Sequence, residues 1–342
     1  MATGFEPAWW LPGGHAQTVA GRYLRRRGGV ALQRWRLDTP DGDFLELDFA
    51  ATQGLAWPAA GETPKLPAAI VLHGLEGCAR SGYVLETFRA LARRGVLGVG
   101  LNFRSCGGEP NRLARSYNAG DTGDLAFAVE RLGARHPGLR LGGVGFSLGG
   151  NVLLKWLGEE GGAAREVMDA AAAVSVPCDL LASADMLERP MGRVYSRVFL
   201  RSLREKVRQK QAALAGLCDV PRGLRVRTLR AFDDAVTGPL HGFSGAAEYY
   251  RLSSSNQFLP AIRLPTMLIH SADDPFLPPS AFPRSQVAEN PWLTERFTPG
   301  GGHVGFISGP PWRPRFWAEQ TAARFLAARF AASARETVTP SA

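Results

Sequence analysis

The chain has 342 residues, 45% apolar and 21% charged, which gives ample material for a core and excludes a disordered polyelectrolyte. No apolar run approaches the roughly 20 residues that span a bilayer, and Met1–Pro7 lacks the basic and apolar regions of a secretory signal. The net charge of +9 is concentrated, because between Arg189 and Arg230 twelve Lys/Arg face only Glu205 and Asp219.

In chain order, Pro7–Thr18 is aromatic, Gly-rich and irregular. It is too apolar for a loose tail and is expected to pack on the body, followed by Arg25-Arg26-Arg27 as a solvated patch. Leu32–Leu37 and Asp43–Phe49 alternate apolar and polar residues around Asp41-Gly42, which predicts an antiparallel pair of strands. From Ala68 the rhythm changes to short buried strands alternating with helices. The strands are Ala68–Leu72, Gly95–Asn102, Leu139–Phe146 and Val167–Val176. The helices are Ser81–Arg94, Gly120–His136 and Leu148–Leu157. Such alternation implies a mostly parallel sheet covered on both faces.

From Cys178 to Leu259 the rhythm breaks. This stretch is basic, has helical periodicity and lacks a buried strand. Val194, Tyr195, Val198, Phe199, Leu203 and Val207 recur at helical spacing beside Arg193, Arg197, Arg201, Arg204 and Arg208. A helical cap inserted over the sheet edge is expected at 178–259, with the core formed by 1–177 and 260–342. The pattern resumes with Leu264–His270 and Leu293–Thr298 as strands, Pro279–Ala288 and Arg315–Ala331 as helices, and Ser333–Ala342 as a frayed end. The four cysteines, Cys78, Cys106, Cys178 and Cys218, form no Cys-x-x-Cys and no zinc-type cluster, so a cytoplasmic protein with free thiols is expected.

The chemistry centres on Gly145-Phe146-Ser147-Leu148-Gly149, a Gly-x-Ser-x-Gly between a predicted strand and a predicted helix. That context makes Ser147 a candidate nucleophile on a sharp turn, with glycines removing the clashes around it. An alkoxide nucleophile needs a base, and the base needs an orienter. Among six histidines, His303 lies in the Gly-rich loop after the last strand. His270 sits within a strand, His136 ends a helix, and His73 reads as shaping its own loop. The orienter should follow the preceding strand, where Asp274, directly before Pro275, is favoured over Asp273, which reads as a turn hydrogen-bonder. Oxyanion donors are expected from the N–H groups of Leu148 and of Leu75 in His73-Gly74-Leu75. Cys106 shows no sign of a lowered pKa, and Arg104 and Glu109 are expected to pair with each other in preference to lining the pocket.

Several segments together resemble the YheT-like α/β-hydrolases. They are Trp10–Thr18, His73–Gly77, Asn102–Glu109, Gly145–Asn151, Asp234–Thr237, Gly242-Phe243 with Tyr249-Tyr250, Asp273–Phe276 and Gly301–Phe306. The resemblance spans about Trp9 to Phe330 and departs at Arg104-Ser105-Cys106-Gly107-Gly108, where relatives often carry Arg-Gly-Cys-Ser-Gly. It implies short- to medium-chain carboxylesterase or acylglycerol-lipase activity with Ser147, Asp274 and His303 as the triad. No metal or organic cofactor is implied. The expected partner is a small ester or lipid. No nucleic-acid module accompanies the basic segment, which reads either as a solvated face or as a peripheral contact with an anionic membrane surface. Acyl transfer or perhydrolysis by the same triad, and a non-catalytic binding protein on this fold, are the alternatives.

Overall fold

The computed structural model describes residues 4–336. Eight strands form one sheet: β1 Ala31–Asp38, β2 Phe44–Ala51, β3 Ala68–Leu72, β4 Leu97–Asn102, β5 Leu141–Phe146, β6 Ala170–Val174, β7 Thr266–Ser271 and β8 Leu293–Thr298. Their order is β1-β2-β4-β3-β5-β6-β7-β8. The first two strands pair antiparallel, β2 meets β4 antiparallel, and the other pairings are parallel.

The central strands are buried on both faces, and their side chains alternate between two cores. Ile70 and Leu72 join the cluster that includes Leu125, Leu132 and Leu153. Val71 joins the cluster that includes Phe88, Leu326 and Phe330. This is period-2 alternation with both faces covered. Helices α3, Gly123–Arg135, and α4, Leu148–Glu160, supply one face; α2, Gly82–Ala92, and the C-terminal helix Trp317–Glu336 supply the other. Small strand residues let the helices approach closely. A Cβ on Gly100 would lie 2.6 Å from the Ala79 Cβ and 3.2 Å from the Phe88 ring.

Several expectations change. Part of the supposedly irregular N-terminus is a helix, α1, Gly13–Tyr23. Val167 ends a one-turn helix, and β6 spans only Ala170–Val174. Pro279–Ala288 is a 3-10 turn, Pro279–Ala281, followed by a short helix, Arg284–Glu289, because Pro283 has no N–H for a continuous helix. The C-terminal helix reaches Glu336, and the rest of the expected frayed end lies outside the described residues.

Between β6 and β7 the chain builds helices Leu180–Glu188, Gly192–Gln209 and Ala246–Ser253 with shorter turns, including a π-helical turn at Asp233–Thr237. This segment has its own apolar cluster, in which Leu200, Val207, Phe232 and Val236 meet Phe276 and Phe282. On the long helix Gly192–Gln209, Leu200 and Val207 point inward with Tyr195, Phe199 and Leu203 half-buried. Val194 and Val198, expected on the apolar face, are about half exposed at 47% and 53%. Among the described residues no helix is long and apolar enough to cross a membrane.

Candidate active site

The loops that follow β3, β5, β7 and β8 leave the same, carboxyl edge of the parallel sheet, where such sheets gather ligands. Ser147 sits between β5 and α4 with φ 50° and ψ −121°, a left-handed backbone that a non-glycine residue adopts only when its surroundings force it. The glycines around it make the turn possible. A Cβ on Gly145 would lie 2.6 Å from the Gly149 carbonyl oxygen, and one on Gly149 would lie 2.7 Å from the Leu72 carbonyl oxygen.

The structure brings Ser147, His303 and Asp274 together. His303 Nε2 is 2.9 Å from Ser147 Oγ, and Nδ1 lies 2.9 Å and 3.1 Å from the two Asp274 carboxylate oxygens. Asp274 and His303 are buried, while Ser147 faces the cavity half-buried. The Phe276 N–H donates to Asp274 Oδ1 at 2.8 Å, and the Phe276 ring stacks on the imidazole with centroids 4.2 Å apart. The other aspartate does different work. Asp273 accepts from the Ser271 hydroxyl and from the Gly302 N–H at 2.8 Å, which ties the turn after β7 to the histidine loop.

Leu148 opens α4, so its N–H belongs to the first turn and has no intrahelical acceptor. The Leu75 N–H has no acceptor among the described residues. Both residues line a cavity of about 150 Å³ together with Ser147 and His303. Its far walls come mainly from the helical insertion and include Leu187, Phe199, Leu203 and Val236.

His73 and His270 take structural places. Burial lowers the His73 pKa from 6.5 to about 4. Its Nδ1–H donates to the Gly74 carbonyl at 2.7 Å and its Nε2 accepts the Phe103 N–H at 3.1 Å, a neutral tautomer that shapes the loop after β3. His270 is fully buried between Phe282 and Phe297, and among the described residues neither ring nitrogen has a partner. Burial pushes the Cys106 thiol up to about 12, against a standing thiolate there. Arg104 does not pair with Glu109. It is buried against Asp43 and Asp41, each at 2.9 Å, and Asp124 at 2.8 Å, while Glu109 meets Arg36 at 2.7 Å. Buried Asp43 and Asp124, with Asp41 at the surface, offer Arg104 a fork of acceptors that one exposed glutamate does not. Among the described residues no group of His, Cys, Asp and Glu is arranged to hold a metal ion.

The residues that position His303 escaped the sequence reading. His303 follows three glycines, and its loop holds Val304 at φ 56° and Phe306 at φ 44°. That backbone is fixed from the N-terminus. The His303 N–H donates to Thr18 Oγ1 at 2.8 Å. The fully buried Gln17 accepts the Ile307 N–H at 2.7 Å and donates to the Ile307 carbonyl at 3.1 Å. Arg25, expected in solvent, is buried. It donates to the carbonyls of Val304 at 2.7 Å and Gly305 at 3.1 Å and pairs with Glu319 at 2.6 Å. The signals were the apolar, Gly-rich character of residues 7–18 and the resemblance of Trp10–Thr18 to the YheT-like family.

A family model described as the alpha/beta hydrolase fold matches residues 67–310. The chain belongs to the α/β-hydrolase fold family, on its YheT-like branch. It is 37% identical over 308 residues to Escherichia coli K12 YheT, a protein named only provisionally as an esterase, covering 89% of this chain and 87% of that one. It is 34% identical over 268 residues to the monoacylglycerol lipase of Saccharomyces cerevisiae, covering 76% of this chain and 59% of that one. It is 27% identical over 306 residues to the mouse phospholipase ABHD3, covering 89% and 74%. Among solved structures, 2,6-dihydroxy-pseudo-oxynicotine hydrolase superposes with a TM-score of 0.55 at 17% identity, covering 93% of this chain and 72% of that one. Est1E of Butyrivibrio proteoclasticus superposes with a TM-score of 0.53 at 12% identity, covering 89% and 100%. These last two likenesses concern the fold alone.

Proposed function

We propose that this α/β-hydrolase is a carboxylic ester hydrolase that cleaves small acyl esters or acylglycerols through an acyl-enzyme on Ser147. The observation that carries the reading is the unbroken line of hydrogen bonds from Asp274 through His303 to a serine held at φ 50°. His303 Nε2 takes the Ser147 proton as Oγ attacks the ester carbonyl, and Asp274 holds the imidazole and stabilises its cation. The N–H groups of Leu148 and Leu75 receive the oxyanion. The C–O bond then breaks, His303 returns the proton to the departing alcohol, and a water activated by the same nitrogen releases the acid. The helical insertion acts as a cap over 178–259, and its apolar walls suit an acyl chain. The lipase and phospholipase names of two relatives support a lipid-like ester.

Labelling with a fluorophosphonate, followed by peptide mapping, tests the reading. Wild type should be modified at Ser147, and Ser147→Ala should lose roughly 10³-fold or more in p-nitrophenyl butyrate hydrolysis. Full activity in Ser147→Ala would refute it.

A further inference from the structure

We propose that Lys206, on the long helix of the insertion, is a positioning residue for the oxyanion loop, acting through Glu76. The proposal rests on the serine-hydrolase reading. Glu76 directly follows Leu75 and holds φ 55°, a conformation that costs a non-glycine residue energy unless neighbours enforce it. Its carboxylate is buried, and three donors converge on it. Lys206 Nζ lies 2.7 Å from Oε1, the Tyr117 hydroxyl donates to the same oxygen at 2.6 Å, and the Ser202 hydroxyl donates to Oε2. Tyr117 also accepts the Glu76 N–H at 3.0 Å, closing a ring around this one residue. Ser202 and Lys206 are four residues apart on the helix Gly192–Gln209, so one helix face grips the loop.

The rest of the loop is fixed from the core side. The Gly74 N–H donates to the Tyr83 hydroxyl at 2.8 Å, and the Gly77 N–H closes the turn onto the Gly74 carbonyl at 3.0 Å. With those groups committed, the Leu75 N–H stays free for a ligand, and its direction depends on how Glu76 is held. Charge adds a second reason. A buried carboxylate one residue from the oxyanion donor would repel the negative charge that develops there, and the Lys206 ammonium cancels that field. Lys206 also lines the cavity, donating to Cys106 Sγ at 3.1 Å. The insertion thus forms the acyl pocket and sets the oxyanion loop with the same helix.

The test compares Lys206→Met, Lys206→Arg, Ser202→Ala and the double variant Lys206→Met/Glu76→Gln with wild type. Lys206→Met should lower kcat on p-nitrophenyl butyrate by roughly 10- to 100-fold with KM within about threefold. It should weaken an alkyl trifluoromethyl ketone, whose hemiketal oxyanion occupies the hole, by a similar factor. Lys206→Arg should stay within about fivefold of wild type. The double variant should recover part of the loss, because it removes the uncompensated charge. Should Lys206→Met fail to fold, Ser202→Ala, missing one donor, should still weaken the ketone by about threefold or more. Ketone affinity unchanged in a folded Lys206→Met, or in Ser202→Ala, overturns the proposal, as does an effect confined to KM. Absence of fluorophosphonate labelling in wild type overturns the parent reading instead, so the two failures are distinguishable.

Discussion

Replacing Gln17 by leucine tests whether the N-terminal helix sustains the loop that carries the proposed catalytic histidine. Gln17 is fully buried, and its side-chain amide satisfies both backbone groups of Ile307, at 2.7 Å and 3.1 Å. Leucine fills a similar volume but leaves the Ile307 N–H without a partner in the interior, while the Ile307 carbonyl keeps the Ala8 N–H at 2.9 Å. An orphaned buried group costs about 1–3 kcal/mol, so Gln17→Leu should lose roughly 1–3 kcal/mol of stability. Relaxation of the loop is expected to release part of that cost by moving residues 303–307 away from Gln17, and His303 would move with them. A misplacement near 1 Å lowers kcat by about 10²-fold. Urea denaturation at constant m-value reads the first effect, and kcat on a p-nitrophenyl ester, measured well below the unfolding transition, reads the second. Gln17→Glu keeps an acceptor for the Ile307 N–H and should fall between the two. A stability loss under about 1 kcal/mol together with kcat within about twofold of wild type would refute the reasoning.

Two further outcomes follow from the same geometry. Asp274→Asn should reduce kcat by roughly 10³- to 10⁴-fold, since the amide no longer fixes the imidazole tautomer. Asp273→Asn, which only alters an acceptor for Ser271 and the Gly302 N–H, should cost about tenfold or less; equal losses would dissolve the distinction between the two aspartates. Stability should fall on acidification from about pH 6.5 towards 4. Burial depresses the pKa values of His73 and His241 to about 4 and of His270 to about 3, so the unfolded chain binds protons first. The stability these neutral imidazoles contribute is complete above pH 6.5, and each withdraws at most about 1.4 kcal/mol per pH unit below it. Asp233, raised by burial to about 6, works in the opposite sense between 3.8 and 6. His270→Leu should flatten the acid limb of a urea-midpoint profile, and an unchanged limb would show that His270 does not contribute.

What was legible in the sequence shared one property: each feature is encoded within a few consecutive residues. The strand–turn–helix around Ser147 is local, and so are the glycine loop around His303 and the turn after β7. Their chain order then fixes their assembly at one sheet edge. The helices between β6 and β7 were legible because the strand rhythm stops and a basic helical period takes over. Arg104 was misread because proximity in sequence to Glu109 suggested a partner, whereas its acceptors Asp41 and Asp43 arrive from the hairpin and Asp124 from α3. Pairing across a sheet edge leaves no short-range trace.

The same limit explains why a triad could be proposed from sequence and its support could not. Gln17 meets Ile307 across 290 positions, Arg25 meets Val304 across 279, and Lys206 meets Glu76 across 130. None of these residues has a side chain whose chemistry announces a role. A buried glutamine, a buried arginine in a basic run and a lysine on a basic helix each have a commoner solvated reading. What distinguishes them is the backbone they hold, since Glu76, Val304 and Phe306 all adopt left-handed conformations without being glycine. Such conformations persist only where the surroundings over-determine them. The strain therefore locates the support: segments from both ends of the chain and from the insertion converge on the two loops whose exact backbone the proposed chemistry requires. The reactive groups are specified locally and their precision is specified globally, so variants of Gln17, Arg25 and Lys206 should change rate more than their distance from the ester suggests.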